Sequence, residues 1–206
     1  MPKSSTINAA RSLGAVFDMR ARAPHYRTAA VQELRPKTSS SYFSNRYHGN
    51  FGLDEYPAHS DLAHWSRPPR YLVLRSLIGF VNVSTHIYRT QDIEEFLSSN
   101  LIQDSVFIPR KNFGAAVPLS MKILRAGAFS IRWDPLFIIP LNMSAKACAG
   151  ILSTPEFRAR RIEISLSEEG DTLLIDNWKT LHGRSAVPED AKSRLIERVY
   201  LEEIYE

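Results

Sequence analysis

Hydrophobic positions along this chain recur mostly at period two. Arg161-Ile162-Glu163-Ile164-Ser165-Leu166 alternates cleanly and runs into a turn at Glu169-Gly170, after which Asp171 to Asp176 forms another apolar run. The last stretch, Arg194-Leu195-Ile196-Glu197-Arg198-Val199-Tyr200-Leu201, alternates again. Tyr71 to Leu77 follows a Pro-Pro break, and Ser105 to Ile108 and Phe129 to Trp133 are shorter β-rich runs. Helical signals are fewer. Thr90 to Asn100 carries early acids and apolar residues at 93, 96 and 97, which predicts a helix capped by Thr90. Ser144 to Leu152 predicts a second, with Ser144 as cap and Pro155 as stop. Many short strands with a few flanking helices predict a mainly β fold, a sandwich or barrel of jelly-roll type.

Composition narrows the class of protein. With 206 residues, 44% of them hydrophobic and 23% charged, the chain is long enough for one well-buried core, and residues 1–206 read as a single domain. Its one cysteine, Cys148, makes neither an internal disulfide nor a Cys-based zinc site, so a reducing compartment, the cytoplasm, is expected. The longest apolar run, Leu136 to Leu141, is broken by Pro140 and is too short for a membrane helix. Residues 1–17 lack acids, as transit peptides do, yet Ala9 to Leu13 reads as a short first helix. The net charge is +4. The first fifty residues hold eight bases against Asp18 and Glu33, a solvated face or a surface for an anionic molecule. No nucleic-acid motif accompanies them, so a small-molecule partner is expected and neither nucleic acid nor membrane. Oligomeric state is not encoded in the pattern.

Six histidines are the candidate chemistry. His59-Ser60-Asp61 places an imidazole and a carboxylate two residues apart, on one face if the segment is extended. Alone, the pair is a weak signal. His182, following the run that ends at Asp176, is a third ligand of the right kind. Two His and one carboxylate on one side of an ion leave positions open for a co-substrate and O2, the arrangement of non-haem Fe(II) oxygen chemistry. Each histidine taken singly reads equally as an ordinary core or surface residue. On the last strand Arg194, Ile196, Arg198 and Tyr200 share one face. If that face points inward, each guanidinium needs an anion, and a dicarboxylate would satisfy one of them. If it points outward, the arginines pair with Glu202 and Glu203.

Together these residues are ones with a familiar order. Pro57-Ala58-His59-Ser60-Asp61, Trp65, Pro68-Pro69-Arg70-Tyr71, Thr85, Gly170 to Asn177, Leu181-His182-Gly183-Arg184, Arg194 and Arg198 span about 70% of the chain. In them the chain resembles the taurine dioxygenase and clavaminate synthase-like superfamily of Fe(II)- and 2-oxoglutarate-dependent oxygenases. The resemblance implies a double-stranded β-helix, cupin-like, in which His59, Asp61 and His182 hold Fe(II). It implies that Arg194 grips the distal carboxylate of 2-oxoglutarate with help from Thr85, and that Arg198 touches an acidic substrate or braces the site. His64 and Trp65 are expected to border the substrate pocket.

The activity so implied is hydroxylation of an unactivated C–H bond of a small carboxylated, amino-acid-like or secondary-metabolite substrate, with O2 consumed and succinate and CO2 released. Two other readings of the same residues stand beside it: a metal-dependent hydrolase or other cupin-like enzyme on the His/Asp/His set, and a non-catalytic anion-binding protein. The chain departs from the superfamily in three places. It is short before His59, Trp178 stands where many relatives carry Arg, and residues 100–160 carry no mapped motif beyond Arg132-Trp133-Asp134, to which no role is assigned.

Overall fold

The computed structural model describes residues 5–22, 29–40, 42, 46–110, 117–125 and 128–205. Of the basic front, Lys3 and Arg27 lie outside the described residues. In chain order the elements are α1 (Thr6–Leu13), β1 (Gly14–Val16), α2 (Met19–Arg22), β2 (Gln32–Leu34), α3 (Tyr47–Phe51), β3 (Tyr56–His59), β4 (Tyr71–Ile78) and β5 (Ser84–Arg89). Then come α4 (Thr90–Phe96), α5 (Ser99–Asp104), β6 (Val106–Pro109), β7 (Leu119–Ser120), β8 (Lys122–Arg125), β9 (Ala128–Ile131) and β10 (Ile138–Pro140). The last are α6 (Met143–Leu152), α7 (Pro155–Arg158), β11 (Ile162–Ser165), β12 (Thr172–Asp176), β13 (Thr180–Arg184) and β14 (Leu195–Ile204).

Two antiparallel sheets face each other, as a double-stranded β-helix requires. The larger has the order β1-β14-β4-β12, and β2 joins β14 beside β1; the smaller has the order β11-β5-β13-β3. Period-two alternation decides what lies between them. Ile196 and Tyr200 of β14, Leu72 and Leu74 of β4, Ile175 of β12 and Ile87 of β5 form one interior cluster. Val199 and Leu201, on the other face of β14, pack with Val73 and Ala10 of α1. The smaller sheet sends Ala58, Tyr88 and Leu181 outward into a second core, closed by helices α4 to α7 and by the sheet β10-β6-β7. The face of β14 that carries Arg198 and Tyr200 therefore points inward, and Glu202 pairs instead with Arg67 at 3.8 Å.

Helix boundaries differ from the sequence expectation for identifiable reasons. Thr90 does not cap α4, because its hydroxyl is spent on Lys179 O at 2.5 Å. Arg89 is the cap, and Asp92 reaches back to the Arg89 N–H at 3.0 Å. The helix stops at Phe96, where Leu97 turns extended, and Ser98 caps a separate α5. Asn142, two residues before the expected cap Ser144, caps α6 by accepting from Ala145 N at 3.0 Å. Pro155 does more than stop α6: it begins α7, capped by Thr154.

Candidate active site

The two imidazoles come from a cross-strand pair. His59 ends β3 and lies opposite His182 of β13 in the ladder. Their neighbours Ala58 and Leu181 point into the outer core, so alternation turns both histidines inward, with ring centroids 4.5 Å apart. Close approach of these strands depends on Gly183, where a Cβ would meet Tyr56 O at 2.5 Å. His59 Nδ1 lies 2.9 Å from Pro57 O. A carbonyl only accepts, so Nδ1 carries the proton and Nε2 keeps its lone pair toward the site.

Asp61 does not reach its partners along an extended strand, as the His-x-Asp spacing suggested. Strand β3 ends at His59, and Asp61 sits in the turn that follows. Its Oδ1 lies 3.6 Å from His59 Nε2 and 3.7 Å from His182 Nε2. Its Oδ2 accepts from Arg198 Nη1 at 2.7 Å and from Tyr200 Oη at 2.9 Å. Burial opposes the charge on Asp61, but Arg198 and the two imidazoles outweigh it and hold the carboxyl well below the usual range. Burial likewise opposes a charged His59, and the Asp61 carboxylate overcomes that and raises its pKa. For His182, burial and the neighbouring His59 win, and its pKa falls.

The three groups fit a divalent metal. One ligand atom from each of His59, Asp61 and His182 lies within 4.8 Å of the others, and all three residues are buried. Two nitrogens and one carboxylate oxygen suit Fe(II) with open positions. His182 Nδ1 has no hydrogen-bond partner among the described residues.

Arg194 precedes β14 and is 6% exposed. Its Nε has no hydrogen-bond partner among the described residues. Burial, and then the charge of Arg184, push its pKa down to about 10. A buried cation so placed is costly without an anion, so its surroundings fit a bound carboxylate. Thr85, also buried, stands opposite Arg184 in the β5–β13 ladder and shares the inward face of β5 with Ile87.

The remaining candidates, His64 and Trp65, lie in the turn that follows Asp61. The His64 ring is 5.2 Å from Phe137 and edge-on to Trp65 at 6.5 Å. Burial and Arg132 lower the His64 pKa to about 4, keeping it neutral. Trp65 in turn faces Phe17 at 6.4 Å. Trp178 donates to Pro68 O at 3.2 Å and faces the Arg70 guanidinium.

Several residues around the candidate ligands were assigned no role from the sequence. Tyr47 of α3 stacks on His59 at 4.3 Å, with its hydroxyl toward Asp134. Asp134 is buried and accepts from Leu136 N and Phe137 N, and burial raises its pKa to about 6. Arg132 clasps the turn after Asp61, donating to Ala63 O and Trp65 O at 2.5 and 2.6 Å. Asn177 bonds the main chain of Asp61. The triplet Arg132-Trp133-Asp134 was the available signal for two of these; Tyr47 has none in its local sequence.

No family model and no curated protein matches the sequence. Solved structures do. Asparagine oxygenase in complex with Fe(II), 3-hydroxyasparagine and succinate superposes with TM-score 0.69 at 19% identity, over 92% of this chain and 60% of that one. The non-heme iron oxygenase OrfP with Fe, succinate and (3S)-hydroxy-L-Arg gives 0.58 at 19% identity, over 84% and 57%. OrfP with Fe and alpha-ketoglutaric acid gives 0.58 at 18%, over 84% and 57%. The chain has the fold of these oxygenases and spans about three fifths of their length.

Proposed function

We propose that this chain is an Fe(II)- and 2-oxoglutarate-dependent oxygenase, residues 1–206 forming one catalytic domain, that hydroxylates a small amino-acid substrate. The observation that carries this is the convergence of His59, Asp61 and His182 as one buried set of ligand atoms inside the β-sandwich. The buried Arg194 guanidinium, whose Nε has no hydrogen-bond partner among the described residues, supports a carboxylate co-substrate. The structural neighbours hold succinate, α-ketoglutarate and hydroxylated amino acids, which supports the co-substrate and the substrate class. The buried free thiol of Cys148 fits a reducing compartment, the cytoplasm. Among the described residues no helix is long and apolar enough to cross a membrane.

In this reading His59 and His182 offer Nε2, and Asp61 offers Oδ1. When bound, iron would bring 2-oxoglutarate and O2 together, with O2 as the oxidant: one of its oxygen atoms would end in succinate as CO2 leaves, and the other in the hydroxyl of the substrate. The chain supplies orientation. Arg194 and Thr85 fix the far carboxylate of 2-oxoglutarate and hence the direction of its other end. Arg198 and Tyr200 occupy Oδ2 of Asp61, leaving Oδ1 to the metal. With the Arg198 fork also reaching Gln32 at 2.6 Å, we assign it to bracing the ligand. His64 and Trp65 border the substrate. The Asp61 carboxylate fills a position that a halide would need, which favours hydroxylation over halogenation.

The test is an anaerobic titration with Fe(II) and 2-oxoglutarate, read by the visible charge-transfer band of the chelate, alongside His182→Ala and Arg194→Ala. A band lost in His182→Ala and demanding far more 2-oxoglutarate in Arg194→Ala is expected. Iron binding without the band would overturn the oxygenase in favour of a hydrolase-like enzyme. No iron binding would favour a non-catalytic anion-binding protein.

A further inference from the structure

A metal ligand on a strand is held by the ladder, but Asp61 sits in a turn. Among the described residues no main-chain hydrogen bond reaches it. What holds its main chain is one side chain, 116 residues away. Asp61 N donates to Asn177 Oδ1 at 2.7 Å, and Asn177 Nδ2 donates back to Asp61 O at 3.1 Å. The amide thus pairs with Asp61 as a neighbouring strand would. Nδ2 also donates to Pro69 O at 3.0 Å, and Asn177 N donates to Arg70 O at 2.7 Å. The three N–H groups and the side-chain oxygen of this 1% exposed residue therefore all face the loop that carries Asp61.

Two further features make that latch matter. Leu62, directly after Asp61, has φ +56°, a left-handed conformation that a leucine avoids. Something must hold the turn there, and Asn177 grips its first residue. Asn177 also stands at the end of β12, three residues before β13 and five before His182. One side chain thereby ties the turn bearing Asp61 to the hairpin bearing His182.

We infer that Asn177 is a positioning residue that sets the main chain of Asp61 against His182, and so the geometry of the metal site. The inference rests on His59, Asp61 and His182 being metal ligands. Outer partners of metal ligands govern affinity by about 10- to 100-fold. Because the amide holds backbone rather than the carboxylate, its loss displaces Oδ1 and leaves its chemistry intact.

Co(II) tests this without turnover, through its dissociation constant and its visible d–d spectrum. Asn177→Ala removes the latch. Asn177→Asp keeps the volume and the accepted bond but sets a carboxylate oxygen against the Asp61 and Pro69 carbonyls, and it carries the test if the alanine variant does not fold. Thr180→Ala is the control, since it deletes a bond of the same hairpin, Thr180 Oγ1 to Asp176 O at 2.9 Å, that touches no ligand. The expected result is at least tenfold weaker Co(II) binding and an altered spectrum in both Asn177 variants at temperatures where they are folded, with Thr180→Ala within twofold of wild type. Asn177 variants within threefold of wild type, or Thr180→Ala as weak as they are, would overturn this inference alone. A wild-type protein that binds no Co(II) would overturn it together with the metal reading.

Discussion

The Arg198 guanidinium lies 2.7 Å from Oδ2 of Asp61, the oxygen turned away from the two imidazoles. Tyr200 approaches the same oxygen, and the other arm of Arg198 meets Gln32 of β2. One carboxylate oxygen is therefore saturated by protein donors and the other is free for a metal. The strand pairing makes this possible, because Arg198 and Gln32 stand opposite each other in the β14–β2 ladder. An N-terminal strand remote from the ligands in sequence thus supports the site.

Arg198→Ala should weaken Fe(II) or Co(II) binding by about 10- to 100-fold, since it strips a buried carboxylate of its arginine partner. Tyr200→Phe should cost less, roughly 1–2 kcal/mol of the same binding energy, because one neutral donor is lost and Arg198 remains. Equal affinities for wild type and Arg198→Ala in a metal titration would show that the contact does not support the ligand.

Arg194 leads to an opposite pair of effects. Its charge is buried with no anion among the described residues, so the protein alone bears the desolvation cost. Arg194→Met keeps the length and removes the charge, and its melting temperature should equal or exceed that of wild type. Its affinity for 2-oxoglutarate should fall roughly 30-fold or more, as expected for deleting one member of a buried charge pair. Thermal unfolding with and without 2-oxoglutarate reads both. A clear drop in stability of the unliganded variant would mean that Arg194 has a structural partner in the protein.

How much of this was legible follows from which positions carry the pattern. The alternation of β14 put Ile196, Arg198 and Tyr200 on one face, and that face points inward. Strand β5 was missed because Ser84, Thr85 and His86 replace the apolar residues that would have marked it. Its sequence is polar where the inner face serves the site. The candidate ligands His59, Asp61 and His182, which the fold brings together, stood out because histidine is scarce in the chain and the set has a specific chemistry. Their support did not. Tyr47 against His59 and Asn177 against Asp61 are contacts of ordinary residues made only by tertiary closure, with no periodicity to announce them.

His64 supplies a pH dependence. Its pKa is about 4 in the folded chain, lowered first by burial and then by Arg132, against an ordinary value near 6.5. Between these values the unfolded chain binds the proton and the folded chain does not. Stability is therefore full above about pH 6.5 and declines as the pH falls toward 4, by up to about 3 kcal/mol from this group. Urea midpoints across pH 4–7 should fall less steeply for His64→Gln than for wild type. Parallel profiles would show that His64 takes up its proton equally in both states.

Gly183 tests whether the spacing of β3 and β13 is itself part of the site. A Cβ there would meet Tyr56 O at 2.5 Å, closer than such contacts form, and the neighbouring atom is backbone, which cannot rotate aside. Gly183→Ala must therefore move β3 away from β13. The cross-strand partners His59 and His182 span this same seam. Overpacking of this kind costs about 1–3 kcal/mol, so the variant should fold with a lowered melting temperature. Its metal affinity should fall by a larger factor than that of a variant equally destabilised in the outer core, such as Leu152→Val. The difference arises because an outward shift of β3 carries His59 Nε2 away from the other two ligand atoms, whereas a cavity under α6 leaves all three in place. Metal titration of both variants at matched fractions of folded protein decides it: equal affinities would mean that the seam relaxes around the new methyl group without displacing the imidazole.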